Sequence, residues 1–250
     1  MSEGRTIRVA TYNIHRGCGL DRRDRLDRII DVLAEVDADV LALQEVFGFQ
    51  AQALVEATRM EGVFGPTRRL PQGSFGNLCL SRFPLVGHAR YNLTCHPFEP
   101  RGCVRADLSI DAGEGGTRGR GGRLHVFNVH FGLRYRERVR QTRMLLWGIL
   151  DRAGLSGPWL LLGDFNEWFH GRASRLLRAA FGHPCGLRRS VLTHPSPWPV
   201  FPLDRIYHDP VLRLERVVVH RSRLARVASD HLPTYADLRF PSPRAHGPRA

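Results

Sequence analysis

The 250-residue sequence contains no lysine, so each of its 37 basic side chains is an arginine. Against 24 acidic residues they give a formal charge of +13 at pH 7 and a sequence pI near 10.9. Such a basic balance usually indicates nucleic acid or an anionic surface as the partner. The complete replacement of lysine also resembles a genome-wide codon bias, so part of the charge is attributable to composition. The charge fits an anionic substrate without selecting one.

Paired cysteines and long apolar runs are also missing. The cysteines are odd in number and lack the spacing of a zinc site: Cys18, Cys79, Cys95, Cys103 and Cys185. A chain of this length does not need disulfides, so reduced thiols are expected. The first eight residues contain no apolar signal core, and no run approaches membrane-spanning length. We therefore expect a soluble, cytoplasmic monomer without stable membrane insertion.

Apolar patterning predicts many strands and few helices. Strands are predicted at 7–13, 39–44, 76–81, 85–93, 103–110, 123–130, 159–162, 203–207, 215–220 and 234–240. Helical spacing of apolar residues predicts helices at about 26–33, 50–58, 135–153 and 174–181. By composition, residues 113–122 form a flexible loop and 241–250 a disordered tail.

The order of these elements constrains the architecture. Strands outnumber helices, and several strands follow one another without an intervening helix. Two packed sheets flanked by helices satisfy that order better than a single doubly wound sheet. Because the sequence has no internal repeat and no long linker, we expect one α/β (α+β) domain over residues 1–240.

Two polar residues follow the apolar strand at 159–162. Gly163 permits a sharp turn, and Asp164 and Asn166 then stand two positions apart. At the mouth of a sheet that spacing directs both side chains into the crevice where ligands usually bind. Asp and Asn also favour turns after strands, because their side chains bond the nearby backbone. This stretch alone does not establish a site.

The same arrangement recurs where other predicted strands end or begin. The residues concerned are Asn13, Glu45, Asn128, His130, Asp204, Asp230 and His231. Any one of them could be a capping or turn residue. Because open sheets gather ligand groups along one edge, polar residues at nearly every strand end instead indicate a shared site.

Seven short motifs, six of which contain these residues, carry a family resemblance. From about Ile7 to Phe240 they read, in order, TYNIH, LQEV, GNLCLSRFPL, NVH, GDFN, LDRIY and SDH. This series resembles the endonuclease/exonuclease/phosphatase superfamily, which includes pancreatic-type deoxyribonuclease, abasic-site endonucleases, neutral sphingomyelinases and inositol phosphatases. The resemblance implies a four-layer α/β/β/α sandwich of two packed mixed sheets. It also implies a Mg²⁺-dependent phosphoester hydrolysis site at one end of the sheets.

The resemblance assigns a metal site to three of these residues. Glu45 matches the family's metal-ligand glutamate, Asn13 the asparagine that supports metal and phosphate, and Asp230 an acid near the metal. Carboxylate oxygens suit a hard cation such as Mg²⁺, for which Mn²⁺ can substitute. Because Mg²⁺ retains several waters, few protein ligands are needed. Whether one or two metals bind is left open.

Five residues match the family's catalytic groups. His231 resembles the catalytic histidine, and Asp204 the carboxylate that fixes its tautomer and favours the imidazolium. Asp164 would position or deprotonate the attacking water, while Asn166 would donate to a non-bridging oxygen. His130 matches a second histidine that contacts the phosphate or the leaving oxygen. Which group is base and which is acid differs among family members, so the assignment stays open.

Residues around the motifs have weaker assignments. Arg101 is a candidate phosphate contact, with a surface salt bridge as the alternative. Asn128 is expected to support the local backbone, and His15 with Arg16 could line the pocket. The aromatic residues of GDFNEW are expected to pack rather than to stack on bases. The other histidines, including His194, fit no pattern and are expected at the surface or beside satisfied partners.

Together these features predict a Mg²⁺-dependent phosphoester hydrolase acting on an anionic substrate. A phosphodiesterase with nuclease-type chemistry is the leading hypothesis, because the high charge suits a polyanion such as nucleic acid. YNIHRG and LQEVF depart from the abasic-site pattern, and little insertion length is available for DNA-gripping loops. A phospholipid or other small phosphoester is the alternative substrate. A non-catalytic phosphate-binding module is the remote alternative.

Overall fold

A computed structural model describes residues 5–110, 122–150, 154–185 and 191–240. The strands are β1 (Thr6–Asn13), β2 (Val40–Phe47), β3 (Glu61–Leu70), β4 (Gly73–Ser81), β5 (Leu85–Asn92), β6 (Gly102–Ser109), β7 (Arg123–His130), β8 (Trp159–Asp164), β9 (Asp204–His208), β10 (Arg213–Val219) and β11 (Thr234–Arg239). They form two mixed sheets, in the orders β10-β11-β1-β2-β4-β3 and β5-β6-β7-β8-β9. The pairs β1–β2 and β7–β8 are parallel, and all other neighbours are antiparallel.

Helices cover the outer faces of the two sheets. They are α1 (Leu26–Val36), α2 (Gly48–Thr58), α3 (Tyr135–Arg143), α4 (Arg172–Phe181) and the short α5 (Ala225–Ala228). A 3₁₀ turn spans His15–Gly17, and α3 continues into a π-helix at Met144–Leu150. In the part of the chain that the structure describes, no helix combines the length and apolar character needed to cross a bilayer.

Three apolar clusters fill the spaces between these layers. Along β1, Ile7 and Val9 point into the cluster between the sheets, while Ala10 and Tyr12 face the cluster beneath α1, α2 and α5. A third cluster, including Phe127, lies under the π-helix and α4. This alternation is the two-residue period of a strand with both faces covered. The four-layer α/β/β/α sandwich expected from the sequence is confirmed.

Buried amides join the two sheets across the central cluster. Asn128 on β7 donates from Nδ2 to the carbonyl oxygens of Leu43 and Leu78, each at 3.0 Å. Its Oδ1 accepts from Gln44 Nε2 at 2.8 Å. Because all three partners belong to the other sheet, Asn128 supports the backbone, as expected, by holding the sheets together.

The structure departs from the sequence-based prediction in four elements. Strand β3 was not expected, because two glycines and a proline interrupt its pattern and it lies at a sheet edge. Helix α5 has only four residues and was also missed. The single helix expected at 135–153 becomes π-helical at Met144. Strand β2 continues through Glu45 to Phe47 instead of ending before it.

Some predictions fall on residues outside the described ranges. These are the glycine-rich loop apart from Gly122, the last three residues of the helix expected at 135–153, and the tail at 241–250.

Candidate active site

Strand ends from both sheets meet at one edge of the sandwich, here called the site edge. The parallel strands β1 and β2 reach it at Asn13 and Glu45. The parallel strands β7 and β8 reach it at His130 and Asp164, which are register partners. Strand β9 starts there, with Asp204 opposite Asp164. The carboxyl ends of two parallel pairs therefore bring these polar side chains together.

Asn13 connects the two sheets at this edge. Its Nδ2 donates to Asp164 Oδ2 at 3.0 Å and lies 3.4 Å from Glu45 Oε1. Its Oδ1 accepts from the His15 amide at 3.0 Å. Since the Asn13 side chain is 2% exposed, these bonds are shielded from water. Asn13 thus orients a carboxylate from each sheet.

Glu45 has a backbone conformation that is rare for a residue with a side chain. Its φ is +59°, at a register shift between Leu43 and Val46 on the partnered strands β2 and β4. Left-handed backbone at a non-glycine residue costs about 1–2 kcal/mol, and a bulge re-aims the local side chain. The half-buried carboxylate makes no salt bridge with any described residue. It is therefore available to a ligand.

His231 and Asp204 form a buried ion pair. His231 Nδ1 lies 2.8 Å from Asp204 Oδ2, and its Nε2 lies 3.8 Å from Asp164 Oδ2. Burial opposes the charged imidazolium, but Asp204 and Asp164 outweigh it and raise the pKa of His231 to about 10. The imidazolium is thus the form held at neutral pH. Among the described residues, none donates to Asp204 Oδ1, which is buried.

Asp164 is the centre of the hydrogen-bond network. Its Oδ1 accepts from the Asn166 amide at 2.8 Å, and its Oδ2 faces Asn13, His130 and His231. Burial raises the pKa of Asp164 to about 6, although the nearby His231 cation opposes that shift. A carboxylate with a pKa near neutrality can accept and release a proton during turnover.

His130 is held in a different protonation state from His231. Arg101 Nη1 lies 3.4 Å from His130 Nδ1 and, as a guanidinium, can only donate. Burial, followed by the charges of Arg101 and His231, lowers the pKa of His130 well below its usual value. Neutral His130 therefore directs its Nε2 hydrogen toward Asp164 Oδ2, 3.6 Å away. Arg101 also forms a salt bridge with Glu99 at 3.3 Å, which was the alternative expected for it; its contact with a phosphate stays a prediction.

Asn166 has left-handed backbone, with φ +49°, immediately after β8. Its Nδ2 donates to the Phe131 carbonyl at 3.0 Å, which leaves one amide hydrogen and the Oδ1 atom for a ligand. Neighbouring Phe165 is buried against Phe131 and Tyr207, as the packing interpretation predicted. Trp168 packs on Phe201, yet 48% of its surface is exposed.

Three histidines surround Asp230 on the loop before β11. Its Oδ1 is 3.7 Å from His15 Nδ1, and its Oδ2 is 3.8 Å from His194 Nε2. The His194 ring lies 4.8 Å from the His231 ring, centroid to centroid. Burial opposes ionisation, but the imidazoles of His194, His231 and His15 lower the pKa of Asp230 to about 2. His194 is the site residue that the sequence analysis missed, because no strand end or motif marks it.

The donor set at this edge fits a hard divalent cation. Glu45 and Asp230 supply carboxylate oxygens, neither held by an arginine within the described ranges. Asn13, which contacts Glu45, is also connected to Asp230 through Ser229. The Ser229 Oγ donates to the Asn13 carbonyl at 2.7 Å and lies 3.4 Å from Asp230 Oδ1. Two half-buried carboxylates without arginine partners suit Mg²⁺ or Mn²⁺, which complete their coordination with water.

The structure brings every site residue predicted from the sequence to the site edge. Hydrogen bonds and close ion pairs connect Asn13, Glu45, Arg101, His130, Asp164, Asn166, Asp204, Asp230 and His231. The arrangement can bind an anion, hold a cation and exchange protons within one buried network.

Comparisons with known proteins agree with this geometry. The profile of the Endonuclease/Exonuclease/phosphatase family matches residues 10–231, a span that contains all nine of those residues. Uncharacterized protein YbhP of Escherichia coli K12 is 27% identical over 264 residues, covering 93% of this chain and 96% of its own.

Two solved structures share the fold. The mannosyl-6-phosphatase Bt3783 of Bacteroides thetaiotaomicron is 19% identical with a TM-score of 0.76, covering 94% of this chain and 100% of its own. The human Nocturnin catalytic domain with a bound sulfate anion is 22% identical with a TM-score of 0.74, covering 96% and 97%. At these identities the similarity establishes the fold alone.

Proposed function

The chain belongs to the endonuclease/exonuclease/phosphatase family, and from that premise we propose that it is a divalent-metal-dependent phosphodiesterase. The observation that carries the proposal is Asp164, which is buried between the His231 imidazolium and the Asn13 amide, 3.8 and 3.0 Å away. Such a group can take a proton from water beside a phosphate while its neighbours compensate the charge.

A bound metal would neutralise part of the negative charge of the substrate phosphate. A divalent cation held by Glu45 and Asp230 would polarise a phosphate oxygen and help to place the substrate.

The chain's own residues supply the remaining chemistry. Asp164 orients the attacking water and accepts its proton as the new oxygen–phosphorus bond forms and the bond from phosphorus to the leaving ester oxygen breaks. The leaving oxygen takes a proton from solvent and departs as the alcohol, and Asp164 returns its own proton to solvent. The His231 imidazolium, fixed by Asp204 at 2.8 Å, stabilises the negative charge that develops on the phosphoryl oxygens. The free amide hydrogen of Asn166 donates to the same oxygens. So does the Nε2 hydrogen of His130, since its 3.6 Å separation from Asp164 Oδ2 is too long for a hydrogen bond.

The charge of the site supports a diester over a monoester. Glu45, Asp164, Asp204 and Asp230 bring four carboxylates to the site edge, and the cations beside them include Arg101 and the His231 imidazolium. A phosphodiester brings one negative charge, whereas a monoester brings nearly two at neutral pH. The single charge suits this acidic pocket better, even with a divalent cation present.

Two substrate classes have support. Nucleic acid, the leading hypothesis from the sequence, is supported by the net charge and by a groove of about 510 Å³ whose lining includes Arg16, Arg22 and Phe49. A phospholipid headgroup is supported by exposed aromatic residues near the site, Trp168, Phe169 and Trp198.

Hydrolysis of bis(4-nitrophenyl) phosphate with Mg²⁺ or Mn²⁺, and after EDTA, tests the proposal. We expect EDTA to abolish turnover, and Glu45→Gln and His231→Gln to lower kcat/KM by about 10³-fold or more. The exposed residues Glu56 and His88 provide matched controls, and Glu56→Gln and His88→Gln should retain the wild-type rate. Wild-type rates in both site variants would refute the site assignment.

A further inference from the structure

Six large hydrophobic side chains are exposed around the site edge. We define the aromatic rim as Leu133, Tyr135, Trp168, Phe169, Trp198 and Val200. Phe169 is 77% and Trp198 82% exposed, which is unusual for residues of this size. A cluster of exposed apolar groups on a soluble fold usually marks an interaction surface.

The residues of the aromatic rim come from three segments of the chain, and each segment lies close in sequence to site residues. Leu133 follows His130 by three positions, and Trp168 follows Asn166 by two. Trp198 lies four residues after His194, whose ring is 4.8 Å from that of His231. A partner bound to the rim would therefore lie over the opening of the site.

The charge of these loops is one-sided. Residues 133–136, 168–175 and 194–203 include no Asp or Glu. Exposed Arg134, Arg136 and Arg172 lie on these loops or on the first turn of the helix that follows, and they make no salt bridge with a residue that the structure describes. Apolar side chains flanked by unpaired guanidinium groups complement an anionic lipid surface, where Trp and Tyr favour the interface and Arg pairs with headgroups.

The loop that carries Trp198 is rigid. Four prolines restrict residues 195–202, and Ser196 anchors the loop by donating to the backbone oxygens of Asp230 and Ser229 at 2.8 and 2.7 Å. Arg226 Nη1 adds a bond to the Pro197 carbonyl at 2.6 Å. A preorganised projection loses little conformational entropy when it enters a partner.

The packing of the aromatic rim favours an apolar medium over nucleic-acid bases. Phe201 contacts both Trp168 and Phe169, with ring centroids 4.7 and 6.1 Å away. The rings thus form one hydrophobic cluster instead of separate platforms between which bases could stack. Leu133 and Val200 offer no flat face for stacking at all.

We propose that the aromatic rim docks this protein onto an anionic phospholipid surface, with the site edge facing the lipid headgroups. That the headgroup phosphodiester is then the substrate rests on the proposed function; the docking itself does not.

Cosedimentation with vesicles tests the docking without catalysis. Wild-type protein should bind phosphatidylglycerol-containing vesicles and bind pure phosphatidylcholine vesicles more weakly. Phe169→Ala combined with Trp198→Ala should weaken binding to the anionic vesicles about ten-fold or more. Trp147, which is 56% exposed on the π-helix, provides the matched control, and Trp147→Ala should bind as wild type.

Three outcomes would overturn the proposal. They are no vesicle binding by wild type, equal binding by the rim double variant, and rim-dependent binding of a single-stranded oligonucleotide in place of vesicles. Glu45→Gln separates this proposal from the proposed function, because it should bind vesicles like wild type while losing hydrolysis. Vesicle binding by a wild type that hydrolyses no phosphodiester would support the docking and contradict the enzyme assignment.

Discussion

The two sheets contribute acidic residues of two different kinds to the site edge. From the first sheet and its loops come Glu45 and Asp230, which are half-buried and free of arginine partners among the described residues. The second sheet provides Asp164 and Asp204, each 1% exposed, and both are hydrogen-bonded to site residues. The difference separates groups suited to an exchangeable ligand from groups whose protonation must be fixed by burial.

His231 connects the residues contributed by the two sheets. It belongs to the loop before β11 of the first sheet, yet its ring bonds to Asp204 of the second. Its charge therefore depends on the contact between the sheets.

The largest expected effect comes from removing the carboxylate that holds His231. Asp204→Asn should lower kcat by about 10³–10⁴-fold, by analogy with the loss of an orienting aspartate in other enzymes. It should also lower the pKa of His231 from about 10, because Asp204 is the main group raising it. Activity assays and NMR titration of the imidazole measure the two effects. Asp31→Asn, at an exposed position on α1, is the control.

Weakening the joint between the sheets should affect stability next most. Asn128→Ala would leave the Leu43 and Leu78 carbonyls and the Gln44 amide without their partner. We expect a loss of about 2–4 kcal/mol in the free energy of unfolding, because buried polar groups left unpaired are costly. Urea denaturation gives the value, with Asn92→Ala at an exposed position for comparison. A loss below that of Asn92→Ala would contradict the role of Asn128.

Replacement of Glu45 by glycine should change stability and activity in opposite directions. Glu45→Gly relieves the left-handed backbone at φ +59° and should raise the free energy of unfolding by about 0.5–1 kcal/mol. The same change removes a carboxylate from the proposed metal site, so phosphodiester turnover should be lost. Val46→Gly, at the buried next position, should instead destabilise the protein. If Glu45→Gly proved less stable than wild type, the strain argument would fail.

The smallest effect concerns an ion pair far from the site edge. Asp237 accepts from Arg8 and Arg216 at 2.8 Å each, and although burial opposes it, these bonds lower the pKa of Asp237. A lowered pKa means that the stabilisation is present above the unfolded-state pKa and disappears as the pH falls through the folded-state value. Asp237→Asn should therefore cost at most about 1 kcal/mol at pH 7, and that cost should shrink as the pH is lowered through the acid range. A pH series of thermal unfolding checks this, and site activity should not change.

Much of the site was predictable because its residues lie in short motifs at strand ends. Asp164 and Asn166 follow an apolar strand and a glycine, a pattern that indicated a site only together with the polar residues at the other strand ends. The pairing of Asp204 with His231 joins residues 27 positions apart. Neither periodicity nor spacing predicts that contact, and it was expected only from the family resemblance.

Features set by tertiary contacts were not predictable. The bulge at Glu45 depends on its pairing with β4, so an apolar run alone could not show that β2 continues to Phe47. His194 reaches Asp230 through a loop held by backbone bonds to Phe201 and by Ser196. Such a position has no local sequence signature.

Asn13 has one amide group reaching a carboxylate in each layer of the sandwich. If one layer slid across the other, that amide would lose one of its two partners before the apolar clusters separated. Low denaturant or moderate pressure should then abolish phosphodiester hydrolysis while the circular dichroism spectrum is still that of the folded protein. The rate of hydrolysis would therefore report a displacement of one sheet relative to the other before the secondary structure is lost.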